Sequence, residues 1–352
     1  MEKKCIFCGE KPEEKNKEHV IPRWLIELTG DPKRAFSVGP FWNQKSVFLT
    51  FAADQFQFPS CEKCNNDYSK LEVCAKSAIE KMLIGQQLVL NDLIALLDWF
   101  DKVRIGLWLG YRYLDKNSWG IIPNYYINSR IAKADRLLAI YKLSEVSKGI
   151  NFAGINSPIF AHNPTMFVLR INDLVYYNVS GTSLISKRIG FPFCSSQEVF
   201  EDGRNIVNWE NGTRKIWNPI IRERFPFDGD IIMQAILPDY DVTKEYFEKS
   251  NIEYVEAFSY KANSGRSYPI AGRSSTIIKE STDFRYNVVL GNPVDAYKKI
   301  VLDCLKRQLE ISKRTSFSKD DKKAYQLNAE KVEIEKMQRY FIKLGNRTIA
   351  ST

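Results

Sequence analysis

Four cysteines and one histidine have the strongest chemical claims in this chain. Cys5-Ile6-Phe7-Cys8 and Cys61-Glu62-Lys63-Cys64 are two C-x2-C pairs with 52 residues between them. Two residues between thiolates let both sulfurs reach one metal ion, and two such knuckles complete a tetrahedron at Zn–S distances of about 2.3 Å. In a reducing compartment this arrangement favours zinc over disulfides. The duplication, and the absence of a thioredoxin-like βαβ frame around either pair, argue against a redox motif. A structural zinc on Cys5, Cys8, Cys61 and Cys64 is therefore expected. Between the knuckles, Lys17-Glu18-His19-Val20-Ile21-Pro22-Arg23-Trp24-Leu25 places one of only two histidines directly after a carboxylate. Histidine titrates near the working pH and can accept or donate a proton there.

The second knuckle runs on as Cys64-Asn65-Asn66-Asp67-Tyr68-Ser69-Lys70-Leu71-Glu72. The combination of C-x2-C, acid-His-x-x-Pro and C-x2-C-Asn resembles the zinc-knuckle subgroup of the HNH (ββα-metal) endonucleases. The resemblance covers residues 5–72, about a fifth of the chain. It implies an enzyme, a phosphodiester hydrolase acting on nucleic acid, DNA in preference to RNA. It further implies a strand ending in the acid–His pair and packed on a helix that begins after the second knuckle. Carried over residue by residue, His19 is the general base, and Glu18 and Asn65 hold a catalytic Mg²⁺ or Mn²⁺. Asn66 is an alternative ligand to Asn65. The middle Asn of the motif, which orients the histidine, is not evident; Asp54, Gln55, Gln57 and the more distant Asn43 are candidates for its place. Tyr68 stands where the family often has lysine, with Lys70 nearby. HNH modules with an added domain resemble restriction, mobile-element and anti-phage effector nucleases, so a defence setting is expected by analogy.

Elements must position these residues. From Asp67 the apolar spacing turns helical through Leu71, Cys74, Ile79 and Leu83, and a second helix follows through Leu93, Leu96, Trp99, Val103, Leu107 and Leu109 to about Tyr113. Beyond about Arg136 the pattern becomes β, with strands at 137–141, 166–171 and 174–177 and a hairpin turn at Asn172-Asp173. Residues 180–230 are broken by Gly and Pro and carry no clear pattern, and 260–276 read as a long, basic loop. Asn292-Pro293 starts a helix with Asn as cap and the stripe Val294, Tyr297, Val301, Cys304 and Leu305. A last helix begins near Ser318, with Asp321 in a capping box, and buries Leu327, Ile334, Met337 and Phe341. The fold class expected is α+β. A zinc-stapled ββα-metal domain spans residues 1–90, and a larger mixed α+β domain of unknown type spans 91–352 and ends in two helices. Trp24, Leu25, Cys74, Cys194 and Cys304 read as core, and His162 as structural.

With 352 residues and 44% hydrophobic content the chain has ample core, and 26% charge excludes wholesale disorder. No apolar run approaches the roughly 20 residues needed to span a bilayer. Met1-Glu2-Lys3-Lys4-Cys5 has no apolar stretch behind it, so a cytoplasmic protein with no membrane partner is expected. Net charge is +9, of which residues 281–352 hold +6. A basic balance favours polyanionic partners. Arg23, Lys70, Lys313, Arg314, Lys322 and Lys323 are the candidate phosphate contacts, against the plainer reading of a solvated helix face. Two other functions compete with the nuclease: a non-catalytic zinc protein that binds nucleic acid, and a subunit that docks a protein partner such as an ATPase or sensor.

Overall fold

The computed structural model describes residues 3–12, 16–38, 49–114, 121, 123–145, 147–185, 187, 192–199, 205–212, 227, 231–234, 236, 267–271, 274–275, 286–289, 291–314 and 322–350. It is mixed α+β. The N-terminal part has strands β1 (Asn16–His19), β2 (Ala35–Val38), β3 (Leu49–Ala52) and β4 (Gln57–Ser60), with a short helix α1 (Arg23–Leu28) after β1. β1 pairs antiparallel with β4, setting Glu18 opposite Phe58 and His19 opposite Gln57, while β2 and β3 form a second ribbon. Helix α2 (Glu62–Leu83) starts directly after β4, and α3 (Leu90–Leu114) returns along it.

The rest is built on one large sheet. Strands β5 (Asp135–Leu143), β6 (Ile150–Ala153), β7 (Met166–Ile171) and β8 (Leu174–Gly181) make its centre. β7 and β8 are joined by the tight turn read from the sequence, with Asn172 in the left-handed region at φ 54°. Helix α4 (Pro158–His162) lies between β6 and β7. β9 (Pro192–Val199) and β10 (Asn205–Asn211) pair separately, with a bulge at Asn208 and Trp209, inside the stretch that showed no pattern. β11 (Ile231–Gln234), β12 (Ser267–Ala271) and β13 (Ser274–Ser275) extend the sheet from β5, and β14 (Asn287–Val289) pairs parallel with its end. Residues 260–276 are thus not simply a loop: the described part supplies two strands. The open edge of β11 recruits Ser-Tyr-Pro-Ile-Ala despite its turn-rich composition. The chain ends in α5 (Pro293–Arg314) and α6 (Lys322–Ala350).

The sheet is covered on both faces, which explains why its strands read as nearly continuous apolar runs. Leu138, Ile140, Phe167, Leu169 and Tyr176 belong to a core shared with α3, whereas Leu137, Ala139, Tyr141, Val168, Val175 and Tyr177 pack with Ile300, Val301 and Cys304 of α5. Asn292 caps α5 as read, its Oδ1 accepting from the amides of Val294 at 2.9 Å and Asp295 at 3.2 Å. Val301, Cys304 and Leu305 of the expected stripe are buried, joined by Ala296 and Ile300, while Val294 is exposed. α6 is described from Lys322, so the cap at Ser318 and Asp321 and the side chain of Leu327 lie outside the described residues. Phe341 is buried but Met337 is exposed, because the seam with α5 is polar. Gln338 Nε2 donates to Leu305 O at 3.1 Å and to Gln308 Oε1 at 3.0 Å, and Ser312 donates to Glu335 at 3.0 Å. On α2 the buried face is Ala75, Ala78, Ile79 and Met82, turned away from the expected Cys74, which is exposed. No helix among the described residues is long and apolar enough to cross a membrane.

α3 is the shared wall. One continuous core runs through it from Cys5, Ile6 and Phe7 to Tyr176 and Ile232 of the sheet. Two glycines let the β1–β4 ribbon approach its backbone. A Cβ on Gly106 would lie 2.9 Å from Val20 Cγ1, and one on Gly110 only 2.5 Å from the Phe58 ring. On the sheet side, buried Arg104 donates to Asp101 at 2.6 Å, Asn178 at 2.5 Å and Pro164 O at 2.9 Å, while Arg136 donates to Asp98, Asp101 and Gln234. Gly110→Ala is expected to destabilise the protein by about 1–3 kcal/mol through overpacking, despite about 1 kcal/mol gained in helix propensity. Urea unfolding of the two proteins checks this; a variant as stable as wild type would show that the ribbon does not depend on the glycine contact.

Candidate metal centre and the His19 ribbon

The first knuckle is a tight turn whose sulfurs face the start of α2. The Gly9 amide donates to Cys5 O at 2.9 Å, and Cys5 N donates to Glu10 O at 2.8 Å. Gly9 has φ 83°, and a Cβ there would stand 2.3 Å from the Tyr126 ring, so the position accepts glycine alone. Ile6 N donates to Pro59 O at 3.0 Å, tying the knuckle to β4. Cys61 caps α2 and Cys64 lies in its first turn, where the helix dipole favours negative sulfur. The four Sγ atoms lie within 4.8 Å of one another, with Cys8 and Cys61 at 3.7 Å, close to the edge of a ZnS₄ tetrahedron. Among the described residues this is the only group of three or more His, Cys, Asp and Glu side chains so placed, and it could hold a metal ion such as zinc.

The protonation chemistry agrees with the geometry. Burial tends to raise the Cys5 thiol, but amide donors from Cys8, Cys61 and Phe7 outweigh it and bring the group below its ordinary value; the Cys61 amide lies 3.2 Å from its sulfur. Burial and the neighbouring sulfurs push Cys61 and Cys64 up to about 12. Four crowded thiols cannot all ionise alone, and a divalent cation removes that obstacle. Around the knuckle, Ile6 O and Phe7 O accept from the amides of Ile127 at 3.1 Å and Asn128 at 2.9 Å. Tyr68 stacks on Phe7 at 4.7 Å and donates to Asn128 Oδ1 at 2.9 Å. Nothing in the sequence pattern pointed to residues 126–128.

His19 ends β1, half-buried. Its Nε2 lies 3.0 Å from Asp54 O and 2.8 Å from Gln57 Nε2, which itself donates to Asp54 O at 2.9 Å. Of the candidates for the orienting residue, Gln57 and the Asp54 backbone are therefore the two that touch the imidazole. Nε2 either donates to the Asp54 carbonyl or accepts from the Gln57 amide, according to the tautomer, and Nδ1 makes no hydrogen bond among the described residues. Burial lowers the His19 pKa, outweighing the Asp54 carbonyl, and nearby Arg23 lowers it further, which favours the neutral ring.

Glu18 turns inward. Its Oε1 accepts from Lys102 Nζ of α3 at 2.5 Å, and the same ammonium donates to Glu72 of α2. Trp24 and Trp99 complete the shell of Glu72, donating at 2.9 Å and 3.2 Å. Burial raises the Glu18 pKa, partly offset by Lys102. Asn65 sits in the first turn of α2, and its side chain makes no hydrogen bond to Glu18 or His19; Asn66 is exposed beside it. The described residues therefore do not present a ready divalent site at Glu18, because an ammonium already occupies its carboxylate. Glu72, Lys102 and Trp99 are parts of this site that the motif alone could not supply.

The basic candidates divide. Arg23 is exposed and paired with Glu27 at 2.8 Å, and Lys70 is exposed on α2. Lys313 pairs with Glu310 at 2.6 Å, and the side chains of Arg314, Lys322 and Lys323 lie outside the described residues. On α6, Lys331, Lys336 and Arg339 likewise meet carboxylates one turn away. Cys304 is buried, the Cys194 side chain is outside the described residues, and His162 at the end of α4 joins no metal-capable group.

No protein-family model, curated protein or solved structure matches the chain. Loading the apo-protein with zinc is expected to release more than one proton per ion at pH 7, because the thiols pushed upward must deprotonate. Affinity therefore falls as pH falls. Calorimetry in buffers of different ionisation enthalpy reads the proton count; zinc binding without proton release would remove the thiolate centre.

Proposed function

We propose that this chain is an HNH-type endonuclease that hydrolyses phosphodiester bonds in nucleic acid, DNA in preference to RNA, with zinc on Cys5, Cys8, Cys61 and Cys64 as a structural staple. The observation that carries the proposal is the His19 imidazole at the end of β1, with Nε2 between the Asp54 carbonyl and the Gln57 amide and no hydrogen bond to Nδ1 among the described residues. In the tautomer that donates Nε2–H to the Asp54 carbonyl, Nδ1 is the nitrogen that takes a proton from water attacking phosphorus. The succession of β1, β4 and α2, with the cysteine group at the junction of β4 and α2, supports this reading. However, α2 begins at Glu62, inside the second knuckle rather than after it, and the ribbon lies against Gly106 and Gly110 of α3. Arg23, four residues after His19 and exposed, is the candidate for a phosphate contact, which would compete with its pairing to Glu27. No step is assigned to Mg²⁺ or Mn²⁺, because Glu18 is held by Lys102. Cytoplasmic defence against foreign DNA remains the setting suggested by analogy alone.

The same Glu18–Lys102 pair favours a second function, a non-catalytic zinc protein that binds nucleic acid without cutting it. Supercoiled plasmid separates the two. His19→Ala is expected to lower nicking by about 10²–10⁴-fold, the usual contribution of a general base, while zinc content and salt-dependent DNA binding stay at wild-type levels. Cleavage by His19→Ala at the wild-type rate would remove the base, and binding with no cleavage by either protein under any divalent ion would favour the second function.

A further inference from the structure

The carboxylate beside His19 is committed to a cation that belongs to the protein. Lys102 comes from the middle of α3 with its side chain 1% exposed, and it reaches Glu18 at 2.5 Å and Glu72 at once. Its position is fixed from several sides. The Phe7 ring lies 5.7 Å from Nζ, the two indoles hold Glu72, and α3 is pinned to the sheet by Arg104 and to the ribbon by Gly106 and Gly110. Moving Lys102 away would leave two carboxylates buried without a counter-charge, which the interior does not tolerate cheaply. Glu18 has more freedom. Its side chain keeps 11% exposure, against 1% for Lys102, and its second oxygen makes no hydrogen bond among the described residues. The pair can open from the Glu18 side alone, with Lys102 remaining on Glu72.

We propose that Lys102 is a built-in competitor for divalent metal at Glu18, an ammonium latch that keeps this carboxylate closed to Mg²⁺ and Mn²⁺ in the resting chain. A divalent ion on Glu18 would sit next to a buried positive charge sharing the same carboxylate, and the two repel in a medium that screens poorly. Metal enters only when Glu18 swings outward, so whatever stabilises the outward rotamer controls the site. The latch regulates the nuclease site proposed above and rests on that proposal for its consequence. It is measured as ion binding, so a failure of cleavage and a failure of the latch are told apart.

The experiment titrates Mn²⁺ into the zinc-loaded full chain and follows bound ion by electron paramagnetic resonance. Wild type and Glu18→Gln are expected to bind Mn²⁺ alike, because the carboxylate is not offered. The double variant Lys102→Met/Glu72→Gln, which removes the ammonium together with its second carboxylate, is expected to gain Mn²⁺ affinity by about tenfold or more. Adding Glu18→Gln on that background should abolish the gain. A wild-type Mn²⁺ site that Glu18→Gln weakens tenfold would overturn the latch, as would a folded double variant with no gain. Should the double variant fail to fold, wild type against Glu18→Gln decides alone, since glutamine retains the oxygen that accepts from Lys102.

Discussion

A helix buried on every side must neutralise its own charges, and the structure depends on how α3 does this. Asp98, Asp101, Lys102 and Arg104 sit within two turns of a helix that is buried without a break from Trp99 to Tyr111. Each is matched to a different neighbour. Lys102 meets the ribbon and α2, Arg104 meets the sheet, and the two aspartates meet Arg136 of β5. Breaking one partner of a buried pair costs about 3–5 kcal/mol, so these contacts define a single docking of α3 and penalise others. The apolar surface supplies most of the driving force, and the charges choose the register.

That register decides what the N-terminal region can be. The cysteine group needs Cys5 and Cys8 beside the start of α2, and the ribbon needs room against α3. Both are met because Gly106 and Gly110 face Val20 and Phe58 while residues 126–128 grip the back of the knuckle. The cysteine group and His19 are thus held by a common frame. Between them lies Glu18, drawn inward by the same helix.

Local signals in the sequence were read well where one short-range rule decides. C-x2-C spacing gave the metal group, Asn292-Pro293 gave a helix start, and Asn172-Asp173 gave a turn. Apolar periodicity located α2, α3, β5, β7 and β8. It erred at single positions, counting exposed Cys74, Val294 and Met337 among the buried stripes of α2, α5 and α6, because those helices are seated partly by polar contacts such as Gln338 on Leu305 O, which no hydropathy pattern registers. The turn-rich composition of 260–276 hid strands created by the free edge of β11. Acid–His spacing identified Glu18 and His19 as neighbours but could not reveal that the strand sends one inward. The partner that captures Glu18 is 84 residues away, and only the packing of α3 brings it there.

The grip of residues 126–128 on the knuckle also fixes an order of events during synthesis. Cys64 completes the metal group when fewer than seventy residues have been made. The amides of Ile127 and Asn128 that bind Ile6 O and Phe7 O emerge from the ribosome much later. Until then those carbonyls have only water to accept from, so an ion bound at that stage would be held by a turn whose backing is still to come.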